Sequence, residues 1–103
     1  MGAIINEDRF GVLTISLDVA SVAINTSAEQ TFTIPGLKVG DFVAVNKPSL
    51  SAGLGVTNAR VSAANTLALT FTNATAGAID PAAETYTVFW FRPEKTVAGY
   101  VNP

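Results

Sequence analysis

The chain has 103 residues, 49% of them hydrophobic and 14% charged, and its 6 basic against 8 acidic side chains give a formal net charge of −2. That length suits one domain, with a core able to stand without disulfides or metal. The absence of cysteine and histidine excludes thiolate catalysis, disulfide frameworks and zinc-ribbon or iron–sulfur sites, and removes the commonest general base and transition-metal ligand.

Sparse basic residues offer no stripe for nucleic-acid phosphates, so no nucleic-acid partner is expected. The neutral polar residues say more than the charges do. There are 12 Thr, 6 Ser and 7 Asn, which makes 25 against 14 charged residues. Threonine suits the pleated face of a strand, whereas an exposed helix favours Glu, Lys, Arg and Gln. The composition therefore predicts an all-β protein. The first nine residues lack the basic and apolar regions of a secretory leader, and no apolar run approaches the roughly 20 residues of a membrane helix. A mean hydropathy of +0.37 then implies apolar surface hidden by something other than lipid.

In chain order, Ile4 and Ile5 precede the polar run Glu7-Asp8-Arg9, and residues 1–9 read as an N-terminal arm. From Phe10 the text turns periodic: Leu13, Ile15 and Leu17 alternate with Thr14, Ser16 and Asp18, the period of a strand. Val19 to Ile24 continues it or starts another strand, and residues 25–29 read as a turn-rich connection. Gln30 to Ile34 alternates Phe32 and Ile34 with threonines until Pro35-Gly36 stops it. A turn over 37–41 leads to a strand over Asp41 to Asn46, and residues 48–55 form a loop of small residues. Val56 to Ala63 alternates again. Ala64-Asn65 is a short turn, after which Leu67, Leu69 and Phe71 alternate with Ala68 and Thr70. Residues 73–83 form a second loop. Thr85 to Arg92 is the last and most apolar strand, stopped by Pro93, and residues 93–103 read as a C-terminal arm.

Six or seven short strands with turns between them predict a compact antiparallel Greek-key, immunoglobulin-like β-sandwich over residues 10–92, flanked by the two arms in a single domain. No window of the chain carries a helical period.

Candidates for chemistry are few. A serine or threonine nucleophile would need Lys38, Lys47, Lys95 or a carboxylate as its base, and neither Ser-x-x-Lys nor Gly-x-Ser-x-Gly occurs. Asp18, Asp41, Asp80 and Glu84 fall at strand ends or in loops, where turn capping explains them better than a glycosidase pair or a calcium site. Gly53-Leu54-Gly55 lacks the third glycine and the helix of a phosphate cradle. Asn25-Thr26-Ser27 and Asn73-Ala74-Thr75 match the glycosylation pattern, as chance allows in a chain so rich in Asn and Thr. No catalytic residue, metal or cofactor is expected, and the protein reads as non-enzymatic.

The segment Tyr86 to Phe91 is more informative. Tyr86, Val88 and Trp90 fall on one face, and Phe89 and Phe91 on the other with Thr85 and Thr87. A half-solvated strand should be polar on its outer face, so these rings need a cover. It is either the chain's own arms or a protein partner or sister subunit, since contiguous exposed aromatics mark interfaces. The interface candidates are Phe89 and Phe91, with Phe10 at the head of the first strand, Ile4 and Ile5 in the N-terminal arm, and Tyr100 in the C-terminal arm.

Several runs resemble a known family. These are Phe32 to Asn46 with its Pro35-Gly36 and Gly40-Asp41 turns, Pro48 to Val56, Ala59 to Ser62, Leu69 to Gly77, and Asp80 to Val88. Over about residues 28–92 they are similar to small β-rich structural proteins of tailed bacteriophages, capsid decoration (cement) proteins in particular. The resemblance implies a virion protein on the capsid surface, made in the host cytoplasm. Such a protein binds the major capsid protein, stabilises the shell and associates with itself, often as a trimer. It transfers no site residues, because such proteins work through whole surfaces. The alternative is a sandwich adhesion or carbohydrate-binding module of a tail fibre or surface protein, using loops 48–55 and 73–84; those loops contain no aromatic to stack on a sugar.

Overall fold

A computed structural model describes residues 9–94 of the chain. Its strands are β1 (Phe10–Leu17), β2 (Thr26–Thr33), β3 (Phe42–Asn46), β4 (Leu54–Ala63), β5 (Thr66–Asn73) and β6 (Glu84–Phe91). They form two antiparallel three-stranded sheets, in the orders β1-β6-β3 and β2-β5-β4. The two central strands supply the middle of the core. Leu67, Leu69 and Phe71 of β5 and Tyr86 and Val88 of β6 are wholly buried, joined by Leu17, Val43 and Val61 from the flanking strands. The protein is thus the all-β sandwich that its composition predicts. In the immunoglobulin scheme β2-β5-β4 stand in the B-E-D positions and β3-β6 in those of C and F; β1 takes the place of G beside F.

Several boundaries differ from the sequence expectation. β2 starts at Thr26, within the segment read as a connection, and the turn before it covers Ile24 and Asn25, the latter with φ +45°. The strand hides from a hydrophobic-period search because its early positions are small or polar on both faces. It exists because β5 pairs with it along its whole length. Val19 to Ile24 is not a strand: Val19 and Val22 are buried anchors, and only Val22 makes a ladder contact, a single bridge to Ile79. Leu54 and Gly55 belong to β4 rather than to the loop before it, and Asn73 closes β5.

The pairing of β3 with β6 is set by charge at both ends. The core-facing row of β6 runs Glu84, Tyr86, Val88, Trp90, Arg92, and that of β3 and its flanks runs Asp41, Val43, Val45, Lys47. Antiparallel pairing brings opposite charges together at each end. Arg92 donates from Nε to Oδ1 of Asp41 at 2.7 Å and from Nη2 to Oδ2 at 2.8 Å, while Lys47 Nζ lies 2.9 Å from Oε2 of Glu84. Arg92 also donates to the Gly36 carbonyl and lies 5.0 Å over the Trp90 ring. Such fork-like contacts penalise any register slip of β3, because a shift by two residues would set an ionised group against an apolar one.

Candidate functional site

The outward residues of β1-β6-β3 form three rows across the sheet. Register places Phe10 opposite Phe91 and Phe91 opposite Phe42; Val12, Phe89 and Ala44 make the second row, and Thr14, Thr87 and Asn46 the third. The face is therefore apolar over the half near the start of β1 and polar over the other half. Phe10 is 58% exposed, Val12 68%, Phe42 49%, Phe89 39% and Phe91 40%. With a whole phenylalanine taken as about 200 Å², these side chains leave roughly 450 Å² of contiguous apolar surface, in the range where a monomer's largest patch is often functional.

The rings hold one another in place. Phe42 and Phe91 stack with centroids 4.7 Å apart and planes 21° apart, and Phe89 tilts against Phe91 at 6.0 Å. On the reverse side of the same rows, the Asp41–Arg92 pair fixes the backbone that carries Phe42 and Phe91. Asp41 accepts a further bond from the Lys38 amide at 2.9 Å. The Arg92 guanidinium holds the Asp41 carboxyl below the usual carboxylate range, against the opposing effect of burial. The Gly36 amide donates to Oδ1 of Asn65 at 2.7 Å, tying this end of the sandwich to the β4–β5 turn. These contacts order Phe42, Phe89 and Phe91, and the β1–β6 register sets Phe10 beside Phe91.

The other outer face has opposite chemistry. Arg60 of β4 and Glu29 of β2 make a two-pronged bridge across β5, Nε to Oε2 at 2.7 Å and Nη2 to Oε1 at 2.8 Å. Each shifts its partner, the Glu29 carboxyl downward and the Arg60 guanidinium upward. Beside them the hydroxyls of Ser27, Thr72 and Thr57 form a chain over the three strands, at 2.7 and 2.9 Å. These polar groups satisfy one another, whereas the aromatic rows opposite leave apolar surface in water.

The loops are closed on themselves. Asn73 is wholly buried, and its amide donates to the carbonyls of Val22 and Gly77 while accepting from the amide and hydroxyl of Thr75. Its place in a glycosylation-like triplet is thereby explained as loop architecture. The Ala74 amide bonds to the Gly53 carbonyl and joins the 73–84 loop to the 48–55 loop, whose Ser49 donates to Glu84 at 2.7 Å. That bond, followed by the Lys47 ammonium, lowers the Glu84 carboxyl below its ordinary range. Among the described residues no three acidic side chains gather as a metal site.

Of the sequence candidates, the structure brings Phe10, Phe89 and Phe91 into one patch; Ile4, Ile5 and Tyr100 lie outside the described residues. Sequence reasoning missed Phe42 and Val12. In Phe42-Val43-Ala44-Val45-Asn46, two inward valines force the phenylalanine outward, and that parity could have found it. Comparison with protein-family models, curated proteins and solved structures returned no match.

Proposed function

We propose that this chain is a non-enzymatic assembly protein that acts by burying the Phe10–Phe91–Phe42 face against another protein, and that it decorates and stiffens a tailed-phage capsid. One observation carries the docking half of this reading: an exposed aromatic patch lies on one outer face while the opposite face satisfies its own polar groups. The choice of partner comes from the resemblance of residues 28–92 to capsid decoration proteins, which implies the major capsid protein and self-association as a trimer at the virion surface. The mechanism is mass action. A protein that binds the assembled shell and not its dissociated subunits stabilises the shell. An interface of about 1,600 Å² would suffice per copy, with many copies acting in parallel. The aromatic patch would form its apolar centre, and the threonine half of the sheet its polar rim. Because the patch carries no charge, attachment should respond weakly to salt.

The test is heat release of the genome from shells stripped of the protein and then re-decorated, at low and at high salt. Restored thermal resistance at both salt concentrations supports the reading. Equal stability with and without the protein removes the cement function.

A further inference from the structure

Both described ends of the chain meet at the aromatic patch. Arg9, Phe10, Phe91, Arg92 and Glu94 line one open hollow of about 370 Å³, so the chain leaves β6 beside the Phe10–Phe91–Phe42 row. Arg92 still pairs with the start of β1, its amide bonding to the Arg9 carbonyl. Pro93 has no N–H to donate and ends the ladder there. Among the described residues nothing covers the outward rings, which keep 39–58% of their surface in water.

Residues 95–103 lie outside the described residues, and their sequence after Lys95 and Thr96 is Val97-Ala98-Gly99-Tyr100-Val101-Asn102-Pro103. Neighbouring strands stand about 4.8 Å apart, and same-face residues of one strand about 6.8 Å apart. The two apolar rows therefore measure roughly 10 Å across the sheet and 7 Å from one row to the next. An extended chain advances about 3.3 Å per residue, which puts Val97 up to about 10 Å from Glu94 and Tyr100 up to about 20 Å. That reach spans the first row and extends to the second, Val12–Phe89–Ala44. The N-terminal segment leaves from the same hollow, but Glu7 and Asp8 stand between its Ile4 and Ile5 and the patch. Folding it over the rings would draw two carboxylates towards apolar surface. The C-terminal segment has one charge, Lys95, at its root beside Glu94, and only neutral residues beyond it.

We infer that in the free protein residues 97–101 fold back over the two apolar rows of their own chain, as a tethered cover that a docking partner displaces. Reach, exit point and charge select this occupant. Val97 and Val101 add aliphatic contact, and Tyr100 sets an aromatic face on the phenylalanines while its hydroxyl stays in water. Ala98 and Gly99 let the backbone between them lie close to the rings. The tether makes closure independent of protein concentration. Its consequence rests on the docking reading. A partner meets the patch only in the open fraction of molecules, so its apparent affinity falls by that fraction. Free copies are thereby kept from associating through bare rings, and only a surface that outcompetes the cover gains the patch.

The experiment is paramagnetic relaxation by NMR on the full chain, with a nitroxide attached through Asn102→Cys; the chain has no other cysteine. The label should broaden the amide signals of Val12, Ala44 and Phe89 and spare those of Ser27 and Thr57 on the opposite face. Adding Val97→Ser and Tyr100→Ser should abolish the broadening. A mixture of labelled chains with isotope-enriched, unlabelled chains should show none. A chain ending at Glu94 should bind stripped shells about tenfold more tightly than the full chain, as for a cover closed in about nine molecules of ten. Absence of broadening in the full chain overturns the inference. So does broadening in the mixture, which would make a second copy the occupant, or the same pattern from a label at Ala3→Cys and not from Asn102→Cys. Weaker shell binding by the shortened chain also overturns it, because the segment would then belong to the dock. If neither chain binds shells, the docking reading fails, while the relaxation result still decides the cover.

Discussion

Replacing Asp41 with asparagine removes one charge from a carboxylate whose side chain is 1% exposed and which accepts three hydrogen bonds, two from Arg92 and one from the Lys38 amide. Losing one partner of a buried pair costs about 3–5 kcal/mol when the other charge is stranded. Here Arg92 keeps the Gly36 carbonyl, the Trp90 face and partial access to water, with a side chain 21% exposed. The expected loss is therefore about 2–3 kcal/mol, which for a domain of this size lowers the melting temperature by roughly 10–20 °C. The effect should depend on pH in a definite direction. The folded-state pKa of Asp41 is depressed by the Arg92 hydrogen bonds. Its stabilisation is complete above the unfolded value of about 3.9 and is lost as pH falls through the lower folded value. Urea unfolding of both proteins at pH 7 and at successively lower pH checks this. Glu29 and Glu84 also titrate in acid, but they are common to both proteins and cancel in the difference. A difference below about 0.5 kcal/mol at pH 7, or one that persists unchanged in strong acid, would refute the clamp.

Two further perturbations probe the scaffold. Gly53→Ala should cost about 2–3 kcal/mol by thermal or urea unfolding, because the residue has φ +84° and its new Cβ would stand 2.2 Å from Thr75 Cγ2, on a side chain held by Asn73 and Gly77. Tyr86→Phe should be neutral or stabilising by about 1 kcal/mol, since the buried hydroxyl finds no hydrogen-bond partner among the described residues. Burial, and then the nearby Glu84, raise the Tyr86 pKa. The wild type should therefore lose stability as pH climbs above about 10, a loss that the phenylalanine variant does not share.

Much of the fold was legible because burial writes itself into a period of two. Leu13, Ile15 and Leu17 read as the inner face of β1, and the split of Tyr86, Val88 and Trp90 from Phe89 and Phe91 gives the orientation of β6. What stayed hidden depends on partners distant in sequence. The first half of β2 lacks a hydrophobic period and is held by β5, forty residues or so away in the chain. Asp41 read as a turn residue because its partner Arg92 lies 51 positions away. The aromatic patch was half visible for the same reason. Phe89 and Phe91 declared themselves within one strand; the parity of Val43 and Val45 turns Phe42 outward, but only the β3–β6 register sets it beside them.

The central claim is that the protein acts through one sheet face. Co-sedimentation with stripped shells of three folded forms tests it most directly: the wild type, the double variant Phe10→Ser/Phe42→Ser, and the polar-face control Glu29→Ser/Arg60→Ser. The two phenylalanines expose roughly 200 Å² between them, which at about 25 cal/mol per Å² is about 5 kcal/mol of gross contact energy. Binding of the aromatic variant should therefore fall by at least about 100-fold, while the control binds like the wild type. Full binding by the aromatic variant, or its loss in the control alone, would contradict the account.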